Sequence, residues 1–61
     1  MFDKAHIEAL FGEIENSWRG KDEFEAISRQ AHLGIAYADA GRSLEKIDSR
    51  VVALIEKHKP K

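Results

Sequence analysis

Apolar residues recur along this chain at steps of three and four from Ile7 to Leu54, the spacing of helices that bury one side. In the first stretch Ile7, Leu10, Phe11, Ile14 and Trp18 make one stripe, while Glu8, Glu13 and Glu15 line the other side. Asp3 stands where an N-cap is wanted, since its carboxylate accepts a free amide of the first turn and faces the positive helix end. Gly20 lies just past the last apolar residue with Arg19 before it, which marks a left-handed stop and a favourable C-terminal charge. The spacing therefore predicts a first helix over residues 3–18. Asp22 is the next candidate N-cap, with Glu25 three residues later as in a capping box.

Beyond that point the pattern divides into two stripes. At about 100° per residue, Phe24, Ile27, Ala31, Ile35 and Ala38 cluster on one face, while Leu33, Tyr37 and Ala40 lie nearly opposite. A turn near residues 19–21 lays the first stripe antiparallel to helix one: Phe24 against Trp18, Ile27 near Ile14, Ala31 near Phe11, Ile35 near Ile7. Helix one is then used up by about residue 38. The second stripe continues in phase through Leu33, Tyr37, Ala40, Leu44, Ile47, Val51, Leu54 and His58, alternating four and three as a heptad seam does.

Two architectures satisfy this seam. In one, the chain breaks at Gly41 and Ser43 caps a third helix that folds back; in the other, a single helix of about 35 residues offers the seam to a second chain. The retained phase favours the unbroken helix, because Gly41 inside a helix costs only about 1 kcal/mol, which burial offsets. The fold class expected is all-α: an antiparallel helical hairpin of 3–18 against 22–40, continued by a segment 43–58 that is either separate or fused to the second helix, forming a bundle by dimerisation.

Length sharpens that expectation. Sixty-one residues make one small domain, and a chain of this size buries only about 60% of its unfolded surface, so its stability is marginal without a staple or a partner. It has no cysteine for disulfides, and three histidines without cysteine are a poor basis for structural zinc, which leaves oligomerisation. Asp3, Lys4, His6 and Glu8 occupy the place of a signal peptide's apolar core, and no stretch approaches about 20 apolar residues. A complete, cytoplasmic chain without a membrane span is expected. The net charge of −1 gives no general pull toward nucleic acid. Its distribution is uneven, with seven acids against three bases in residues 1–28 and seven bases against four acids in 29–61.

Candidate chemistry is sparse. His6 and Asp3 share a helix face as two metal ligands do, but a site needs three or four and no second such pair exists, so neither metal nor cofactor is expected. His58 closes the seam as a helix-end polar group or a pH-sensitive interface residue. Ser17, Ser28, Ser43 and Ser49 lack a histidine at one-turn spacing, and Asp22, Glu23 and Glu25 read as a helix start rather than as an acid and a base, so the chain is not expected to be an enzyme. Trp18 reads as a cap over the hairpin end.

Leu33, Gly34, Tyr37, Gly41 and Ala53 are faintly similar to the signature of a tetratricopeptide repeat over residues 33–53, about a third of the chain, and that resemblance implies protein binding. Lys46 stands where the family has a small residue and Ser43 where it has an aromatic. One unit is present where about three are needed, so the chain is not assigned to it.

The function expected is a non-enzymatic protein–protein interaction module, a small regulator, adaptor, inhibitor or accessory subunit. It is expected to form a homodimer and to bind another protein through apolar helix faces, with Leu33, Tyr37, Ala40, Leu44, Ile47, Val51, Leu54 and His58 at the interface. The alternative is a small nucleic-acid-binding regulator that uses the basic C-terminal half, with Arg19, Lys21, Arg29, Arg42, Lys46 and Arg50 supplying charge, against which Asp39, Glu45 and Asp48 stand interspersed.

Overall fold

Three helices and no strand make up the computed structural model, which describes residues 1–61: α1 (Lys4–Trp18), α2 (Phe24–Asp39) and α3 (Ser49–His58). Asp3 caps α1 as its position predicts, its Oδ1 accepting the His6 backbone N–H at 2.9 Å. The helix stops in a type II turn, with Arg19 at φ −54° and ψ 129°, Gly20 at φ +77°, and the Lys21 N–H donating to the Trp18 carbonyl at 2.9 Å. Gly20 is the residue that turn requires, because the position needs a positive φ.

The capping box expected at Asp22 does not form, and α2 starts at Phe24. Residues 21–24 already wind into a turn in which the Phe24 N–H donates to the Lys21 carbonyl at 3.0 Å, so backbone takes the place of a side-chain cap. Glu25 pairs along the helix with Arg29 instead.

The unbroken second helix favoured by the retained phase is overturned at Gly41. That residue adopts φ +70°, and the turn closes as a Schellman motif: the Arg42 N–H donates to the Tyr37 carbonyl at 2.8 Å and the Gly41 N–H to the Ala38 carbonyl at 3.2 Å. A 35-residue helix would run about 52 Å, whereas the longest dimension of the molecule is 32 Å. The radius of gyration, 10.8 Å, matches the roughly 10.5 Å of a folded domain of this length, so the chain closes on itself.

The third helix also begins later than expected, at Ser49 rather than 43. Ser43 does not cap it. The Ser43 hydroxyl accepts the Glu45 N–H at 3.2 Å and the Ile47 N–H donates to the Leu44 carbonyl at 3.0 Å, both local turns. Asp48 caps α3 through the Arg50 N–H at 2.8 Å, and its own N–H donates to Gln30 Oε1 at 3.1 Å, which fixes the start of α3 to α2.

All three helices touch one another around a core of Leu10 and Ile14 from α1, Ile27, Ala31 and Ile35 from α2, and Val51, Leu54 and Ile55 from α3, joined by Ile47 and Phe2. Phe2 and Ile7 occupy the staple positions on either side of the Asp3 cap. The Phe2 N–H donates to Asp39 Oδ1 at 2.8 Å, which brings the start of α1 to the end of α2. Trp18 and Phe24 pack half-buried against the same core.

Gly34 decides how closely α3 approaches. It is buried in mid-helix, and a Cβ there would run into Ile55 Cδ1 and lie 3.5 Å from Ile47 Cγ2. Gly12, by contrast, lies exposed in α1 with nothing within 4 Å of a Cβ. Gly34→Leu is expected to lift α3 off the core and cost about 1–3 kcal/mol, a large share of the roughly 3–9 kcal/mol available to a domain this small. Gly12→Ala is expected to add about 0.5–1 kcal/mol through helix propensity. Thermal unfolding followed by circular dichroism separates the two; equal midpoints for both variants would contradict the packing assigned to Gly34.

Candidate interaction surface

The seam expected from the sequence is split by the turn at Gly41. Ile47, Val51 and Leu54 are 5%, 0% and 7% exposed, buried by the chain's own helices. Their cover is intramolecular because α3 folds back against α1 and α2. Leu33 is 43% exposed, Ala40 is exposed, and Tyr37 and Leu44 are half-buried. These four stay on or near the outside, Leu33, Tyr37 and Ala40 along α2 and Leu44 in the turn that follows. His58 is half-buried at the end of α3, its Nε2 2.9 Å from Glu13 Oε1.

The outer face of α2 follows from its inner one. Ile27, Ala31, Gly34 and Ile35 turn inward. The residues about half a turn away are Ala26, Arg29, Leu33, Ala36, Tyr37 and Ala40, and all but Tyr37 are exposed. Ala26 and Ala36 were not among the residues expected at an interface, although their phase with Leu33 was readable. At the end of this face the Arg42 guanidinium lies 4.7 Å above the centre of the Tyr37 ring, a cation–π contact that also screens one side of the aromatic. Tyr37, Arg42, Ser43, Glu45 and Lys46 line a shallow hollow of about 200 Å³ there.

The polar side chains elsewhere mostly close on one another. Glu13 Oε1 accepts from Lys57 Nζ at 2.9 Å and meets His58 at the same distance, clasping α1 to the end of α3. The hydrogen bond from Lys57, and then that with His58, hold the Glu13 carboxyl below its ordinary value. Arg50 spans Asp48 and Glu23, reaching them at 2.9 and 2.8 Å, and joins the starts of α2 and α3. Its hydrogen bonds lower both carboxyls and raise the guanidinium's own pKa. The Asp3 carboxyl is lowered by the His6 backbone N–H and then by the His6 ring, whose Nδ1 lies 2.6 Å away. No third metal-ligating group joins that pair. The Phe11 and His32 rings meet tilted by 34° with centroids 4.4 Å apart, a contact between α1 and α2.

No helix is long and apolar enough to cross a membrane. Comparison with protein-family models, with curated proteins and with solved structures finds no match to this chain. What fold and surface define together is a three-helix bundle with a partly apolar outer face on its middle helix.

The four depressed carboxyls, at Asp3, Glu13, Glu23 and Asp48, bind protons less readily folded than unfolded. Their contribution to stability is therefore complete above their ordinary values of 3.8 and 4.5 and is lost as pH falls through the lower folded values. The thermal midpoint is expected to hold steady from pH 7 to about 5 and to fall below that, and Glu13→Gln is expected to make the fall shallower. A melting series across pH for both proteins checks this; identical slopes would remove the clasp from the account.

Proposed function

We propose that this chain is a non-enzymatic protein-interaction module that docks a protein surface on the outer face of α2. The observation that carries the proposal is Leu33, 43% exposed at mid-face and flanked along the helix by the exposed alanines 26, 36 and 40 and by Tyr37. Single exposed apolar side chains are ordinary on any protein. Here helical phase sets them in one strip beside Arg29, whose guanidinium is engaged by Glu25, and the alanines let an opposing element come close to the backbone. Trp, Tyr and Arg are the residue types that most often anchor interfaces, and the Tyr37–Arg42 stack stands at the end of the strip.

The partner is a protein, either a second copy of this chain or another polypeptide, and the setting proposed is the cytoplasm, where a domain without cysteines loses nothing by lacking disulfides. The charges favour this reading over nucleic-acid binding. Arg29, Arg50 and Lys57, three of the bases in the second half, are engaged by Glu25, by Glu23 with Asp48, and by Glu13. Phosphate contacts would have to come chiefly from Arg42, Lys46 and the C-terminal lysines, and Glu45 stands among the first of these.

A photo-crosslinking amino acid placed at Leu33 is expected to capture protein as one or a few discrete products in the source cell. The same group at Glu8, exposed on α1, is expected to capture none. Equal labelling from both positions would overturn the proposal.

A further inference from the structure

We draw no further inference here: the strongest candidate, the outer face of α2 with Leu33 at its centre and the hollow beside Tyr37 and Arg42 at its end, belongs to the docking surface already proposed, and nothing in the structure shows what covers it.

Discussion

Everything in this molecule follows from the reversal of the chain after α2. A chain of 61 residues without cysteine has only its apolar side chains with which to close a core. The left-handed Gly41 ends α2, two backbone hydrogen bonds lock the end, and the segment that follows brings Ile47 and then Val51, Leu54 and Ile55 back over the helix just completed. The absence of a side chain at Gly34 is what allows Ile55 to settle there. Burial of this kind is worth about 25 cal/mol for each Å² of apolar surface removed from water. It replaces the oligomeric cover that the amino-acid pattern alone called for.

Much of the local structure was legible in the sequence. Asp3 caps α1, the stripe from Ile7 to Trp18 packs on the core, and Gly20 adopts positive φ, whereas the break at Gly41 was the alternative that the retained phase disfavoured. The third helix was harder to read. Leu44, Ile47 and Val51 keep a three-and-four spacing across a segment that is not helical until Ser49, so periodicity mimicked a continuous helix where there is a turn. Ile55, fully buried, stood outside the seam because the phase was carried over from α2 rather than set anew at the Asp48 cap. Nothing in local spacing announced the clasp of Glu13 with Lys57 and His58, since its partners lie 44 and 45 residues apart in the chain.

The candidate surface was half legible for the same reason. The part of the seam on α2, with Leu33, Tyr37 and Ala40, faces outward. Its continuation into α3 turns inward once the chain reverses, leaving Leu44 half-buried at the corner. The two stripes of α2 thereby separate in role, one side holding the bundle together and the other carrying the docking face proposed here. The peripheral ion pairs of Glu13 and Arg50 engage charges away from that face, whereas Arg42 and Lys46 beside it stand outside the chain's own ion pairs.

The measurement that tests this division most directly is a comparison of amide chemical shifts in dilute and concentrated samples of the wild-type chain. The amides of Val51, Leu54 and Ile55 are expected to keep their folded positions at every dilution, with any concentration-dependent shift confined to the outer face of α2. Loss of folded shifts in α3 on dilution, or concentration-dependent changes centred on Ile47, Val51 and Leu54, would show that a second chain rather than the turn at Gly41 covers the core.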